Sequence, residues 1–121
     1  IFITVATGKI SEEKMILGKW KLTNFKSEYY TIFKDDGTYV DEKHFNGKIR
    51  YENHFYKIKK IDNEIKIFVC AYSQMKDRHI CEEDDYNYGE GCKLTFIGND
   101  KMLQICTQLP GSPTYVFIRV K

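Results

Sequence analysis

The chain has 121 residues, a formal net charge of +2 with Lys far outnumbering Arg, and 15% aromatic residues. That length bounds it to one domain with a real but modest core. The scattered charge excludes a dedicated nucleic-acid binder, which would show an Arg-rich basic face, and no apolar run is long enough for a membrane-spanning helix.

Residues 1–10 start at Ile1 without Met and read as an N-terminal arm or processed remnant; residues 11–121 read as the folded domain. Ser11 is placed to cap a helix, with Glu12 and Glu13 in its first turn, and Gly18 ends it after about two turns at most. From Lys19 the hydrophobic period becomes two, with Trp20 and Leu22 on one face and Lys19 and Lys21 on the other. Tyr29 to Phe33 is a second strand, closed by a turn at Lys34 to Gly37 whose Asp-Gly pair signals a hairpin. Thr38 to Glu42 returns as the third. Lys43 to Asn53 reads as a loose stretch with a turn at Asn46-Gly47 and a short strand over Lys48 to Tyr51.

Phe55 to Lys59 forms the next strand, followed by a tight turn at Asp62-Asn63 and by Glu64 to Tyr72. Residues 73–91 break all periodicity. Cys92 to Ile97 and Lys101 to Thr107 flank a Gly98-Asn99-Asp100 turn, with Leu94 set against Ile105 and Phe96 against Leu103. Pro110 and Pro113 mark a loop that a strand ladder would refuse. Thr114 to Val120 is the last strand. Eight short strands joined largely as hairpins give an all-β fold, an eight-stranded antiparallel up-and-down barrel closed at one end by the short helix. Alternating strand direction sends the tight turns to the helix end and the longer, irregular loops, Phe25 to Glu28, Lys43 to Asn53, Ser73 to Gly91 and Gln108 to Pro113, to an open rim.

The pattern Ile16 to Leu22, carrying Gly18-x-Trp20, then Phe33-x-x-Asp36-Gly37-Thr38-Tyr39, then Tyr115-x-Phe117-x-Arg119, resembles the lipocalins and the broader calycin group. The closer likeness is to short bacterial lipocalin-like domains. It covers nearly the whole chain, although the chain is shorter than a full lipocalin and lacks a C-terminal helical signal. The resemblance implies that Trp20 lies across the closed end and that Arg119 stacks on it.

Cys70, Cys81, Cys92 and Cys106 fall in the second half at spacings that make no zinc clamp. Their even number in a small β-rich chain points to two disulfides and a secreted, periplasmic or cell-envelope location. Three connectivities are open, with the reading leaning to Cys81–Cys92 plus Cys70–Cys106. His44, His54 and His79 lie far apart, without metal-ligand spacing, and read as exposed strand or loop residues. No nucleophile elbow or phosphate-cradling loop appears, so neither an enzyme nor a cofactor or metal is expected.

Two functions follow. The first is binding of a small apolar ligand by a monomeric barrel, held by Tyr30, Tyr56, Ile67, Phe96 and Phe117 as inward residues. The second is contact with a basic protein partner, such as an enzyme to be inhibited, through the acidic loop 73–91. Its Glu82, Glu83, Asp84 and Asp85, with Tyr86 and Tyr88, are typical contact residues.

Overall fold

The computed structural model describes residues 11–71, 91–107 and 109–121. Eight antiparallel strands close into one barrel in simple sequence order, β1 (Gly18–Leu22), β2 (Glu28–Phe33), β3 (Thr38–Phe45), β4 (Lys48–Ile61), β5 (Glu64–Ala71), β6 (Cys92–Ile97), β7 (Lys101–Ile105) and β8 (Thr114–Arg119). The first and last strands pair directly, Trp20 opposite Arg119 and Leu22 opposite Phe117, so the sheet closes on itself.

Helix α1 (Glu12–Met15) is a single turn before β1. Ser11 occupies its N-cap position, but the cap is made by the Ser11 carbonyl, which accepts from the Lys14 and Met15 amides, and the side chain makes no capping bond. The tight turns after β2, β4 and β6 lie at the helix end, as the alternation predicts. Inward side chains of the closed half form one core: Ile16, Trp20, Leu22, Phe33, Tyr56, Ile67, Leu94, Met102 and Phe117 are all buried.

Two elements depart from the sequence reading. The stretch from Lys43 to Asn53 is not a rim loop. β3 runs on to Phe45, turns through Asn46 and Gly47, and returns along the fourteen-residue β4. Asn46 and Gly47 both have positive φ, 51° and 73°, the conformation that a two-residue turn needs to match the twist of its strands. The hairpin therefore stays paired from Thr38–Phe55 out to Phe45–Lys48 and stands up as an arm at the open end.

The β6–β7 register is also shifted by one residue. The turn of Gly98, Asn99 and Asp100 sets Ile97 opposite Lys101, which puts Leu94 against Gln104 and Phe96 against Met102. A one-residue slip turns every side chain to the other face. Gln104 and Cys106 therefore face inward where Leu103 and Ile105 were placed.

That shift also decides the cysteines. Cys106 lies one step beyond the Lys93–Ile105 pair and directly faces Cys92, and the two form a disulfide with Cα atoms 4.4 Å apart. This is close to the spacing of a non-hydrogen-bonded antiparallel pair, about 4.5 Å. It replaces the Cys81–Cys92 and Cys70–Cys106 pairing expected from sequence. Cys70 is disulfide-bonded as well, while Cys81 lies outside the described residues. Among the described residues no helix is long and apolar enough to cross a membrane.

Candidate functional site

The closed end is held by a contact between the two ends of the domain. The Arg119 guanidinium lies 4.2 Å over the Trp20 ring. It donates through Nη1 to the Leu17 carbonyl at 2.7 Å, through Nη2 to the Met15 carbonyl at 2.6 Å, and through Nε to the Asn99 carbonyl at 2.8 Å. Met15 and Leu17 sit where a helix end leaves carbonyls without intrahelical partners, so the arginine serves as a C-cap delivered from the last strand. The Trp20 indole donates to the Ile16 carbonyl at 2.8 Å. Gly18, at φ +112°, lets the chain pass beneath the guanidinium: an added Cβ would meet Arg119 Nη1 at 3.1 Å.

Above this floor the barrel is not filled. A cavity of about 250 Å³ opens toward the rim, lined by Leu22, Phe33, Ile67 and Phe117 and by the rings of Phe25, Tyr29, Tyr39 and Tyr115. Its polar groups come from Thr31, Asp41 and Gln104. Phe25 meets Tyr29 edge-on at 5.5 Å, so the mouth itself is aromatic. A second chamber of about 190 Å³ shares Tyr39, Ile67, Val69, Gln104 and Tyr115 with the first. A larger depression of about 470 Å³ lies between the helix and β4, but charged chains such as Glu13, Lys14 and Asp35 line it. For an apolar ligand the smaller aromatic cavity is the better container.

Of the five residues expected to line the interior, Ile67 and Phe117 do so. Tyr56 belongs to the packed floor, where its ring meets Phe33 at 5.0 Å and its hydroxyl donates to the Lys34 carbonyl at 2.9 Å. Phe96 also packs low, 6.3 Å from Trp20. Tyr30 is on the outside. The register sets it opposite Glu42 while its neighbour Thr31 faces inward against Asp41, and its hydroxyl donates to Glu28 at 2.7 Å. The alternation that buries Trp20 requires this, because Trp20 pairs with Thr31. The rim residues Glu82, Glu83, Asp84, Asp85, Tyr86 and Tyr88 lie outside the described residues, as does His79.

Beside the cavity lies a polar cluster that the sequence pattern does not signal. Asp41 is buried and its Oδ1 accepts from the Thr31 hydroxyl at 2.9 Å. Glu52 stands directly across from it on β4, and His54 is two residues further along the same inward face. His54 is therefore not an exposed histidine: its side chain is only 13% exposed, and its Nε2 lies 3.3 Å from Asp41 Oδ2 and 3.7 Å from Glu52 Oε1. Tyr39 stacks on the imidazole at 4.9 Å. Burial, and behind it the charge of Asp41, pushes the phenols of Tyr29 and Tyr39 well above the ordinary tyrosine range, so both remain neutral donors at the cavity wall.

On the outer surface Glu42 makes a separate cluster, 2.7 Å from His44 Nε2 and 3.5 Å from Lys19 Nζ. The hydrogen bond with His44 holds its carboxyl below the usual range against the opposing effect of burial, with Lys19 adding to the lowering.

No protein family, curated protein or solved structure matches this chain.

Proposed function

We propose that this chain is a binding protein of lipocalin-like type that holds a small, mostly apolar ring compound in the open-end cavity. The observation that carries the reading is the aromatic cavity of about 250 Å³ above a packed floor. An apolar cavity of about 150 Å³ is enough to hold benzene, so this one, together with the chamber of about 190 Å³ that shares its wall, suits a substituted ring or a fused pair carrying a further ring. The short helix before Gly18-x-Trp20, the stacking of Arg119 on Trp20 and the unbroken meander all support the lipocalin-like assignment. The Cys92–Cys106 disulfide supports export to an oxidising compartment.

Binding is the reading in place of catalysis because the wall supplies shape and apolar surface with few polar groups, as a small-molecule site does. A fluorescence titration with N-phenyl-1-naphthylamine tests it. The parent chain should show saturable emission with one site. Val69→Trp, which adds bulk at a wall position that is already 39% exposed, should weaken uptake at least tenfold while leaving the far-UV spectrum unchanged. No emission gain with the parent, or equal affinity in the variant, would refute the cavity as the site.

A further inference from the structure

We propose that Asp41, Glu52 and His54 form a binding site for a divalent first-row transition ion, with zinc as the occupant. The inference is independent of whether an apolar ligand occupies the adjoining cavity.

The three groups are brought together by the β3–β4 register alone. Asp41 and Glu52 are a direct cross-strand pair, and His54 is the next residue on the same face of β4. One ligand atom from each lies within 4.8 Å of the other two. Ligand atoms about 2.0–2.2 Å from a tetrahedral zinc stand about 3.3–3.6 Å apart. The separations from His54 Nε2, 3.3 Å to Asp41 and 3.7 Å to Glu52, fall at the short end of that range and just beyond its long end.

The second observation is the unpartnered imidazole nitrogen. His54 Nε2 is buried and has no hydrogen-bond partner, although two carboxylate oxygens stand close to it. A protonated imidazole held by carboxylates would align its N–H with one of them, because a buried donor left unmade is costly. Here the nitrogen lies 3.3 Å from Asp41 Oδ2 and 3.7 Å from Glu52 Oε1 and bonds to neither, and the three ligand atoms bracket a space that a shared cation would fill.

The surroundings orient these ligands. Thr31 holds Asp41 Oδ1 at 2.9 Å and leaves Oδ2 directed at His54, while the Tyr39 ring fixes the imidazole plane at 4.9 Å. Outer partners of this kind set the direction and basicity of metal ligands. One imidazole with two carboxylates is a borderline donor set. It favours zinc and its neighbours over calcium or magnesium, which prefer all-oxygen cages, and over copper(I), which seeks thiolates. Two cations compete for Glu52: Lys43 Nζ lies 3.1 Å from Oε1 and the largely exposed Arg50 has its Nε 3.7 Å from Oε2, and the nearer, Lys43, is on a side chain one-third exposed that is able to swing away.

Zinc chloride titrated calorimetrically into the chelator-stripped, disulfide-intact chain tests the site, with cobalt(II) absorption reporting geometry. The parent should bind one zinc per chain and give the intense visible bands of four-coordinate cobalt. His54→Ala and Glu52→Gln should each weaken zinc at least tenfold, and Lys43→Met should tighten it severalfold by removing the competing ammonium. Glu52 is one-third exposed, so its variant keeps the test open if His54→Ala fails to fold, with near-UV circular dichroism as the check. His79→Ala is the control and should change nothing. Absence of zinc binding by the parent would overturn the proposal. So would undiminished binding in the folded variants, or loss of binding with His79→Ala in their place.

Discussion

Replacing Arg119 by Met keeps an unbranched apolar stem while removing the guanidinium that ties the helix to the last strand. Water will resolvate the exposed Asn99 carbonyl, so that bond adds little. The bonds to Leu17 and Met15 are partly buried, and hydrogen bonds to a charged group contribute about 1.5–3 kcal/mol each. The stacking on Trp20 adds about 0.5–2 kcal/mol. The Arg119 side chain is one-quarter exposed, which favours the lower ends, and the contributions overlap. The expected loss is about 3–5 kcal/mol, a large share of the roughly 5–15 kcal/mol that holds a domain folded. Trp20 is the only tryptophan in the chain and is fully buried beneath this arginine, so its emission reports both stability and local packing. Urea unfolding followed by that emission should show a lower midpoint, with the native band already shifted to the red. A variant within about 0.5 kcal/mol of the parent, the range of an ordinary surface change, with unshifted emission would refute the view that Arg119 closes the barrel.

With Cys92 joined to Cys106, the other two cysteines can pair only with each other, so non-reducing peptide mapping should recover Cys92–Cys106 and Cys70–Cys81 and no free thiol. Recovery of Cys81–Cys92 would contradict the β6–β7 register. Glu42, whose carboxyl is held below the unfolded value of about 4.3, contributes stability that is present above that pH and lost as pH falls through its folded pKa. The drop in urea midpoint from pH 6 to pH 3 should therefore be smaller in Glu42→Gln than in the parent, and parallel profiles would remove the role of the His44 and Lys19 contacts.

The barrel was legible because alternation, turn chemistry and the sorting of short turns to one end all act locally. What escaped depended on exact register. Leu94, Phe96, Leu103 and Ile105 make an attractive apolar set, but they ignore the three residues that the turn after Ile97 must contain. The same error placed Cys106 on the wrong face and hid its partner. Tyr30 is legible as an outward residue only once Trp20 is known to pair with Thr31, because parity from that pair sends it out. The β3–β4 arm was read as a loop because its charged residues on both faces give no amphipathic signal; its Asn46-Gly47 turn was the clue that outweighs this. Asp41, Glu52 and His54 show no ligand spacing along the chain, since only the ladder between two strands brings them together.

The central claim is that the cavity above the packed floor is where a small apolar molecule sits. Nuclear Overhauser contacts from bound N-phenyl-1-naphthylamine to the methyl groups of the chain test it most directly. Contacts to Ile67, Val69 and Leu22, all of which border the aromatic chambers, are the predicted result. Saturable binding with contacts confined to Leu17 and Ile58, which border the charged depression beside the helix, would contradict it.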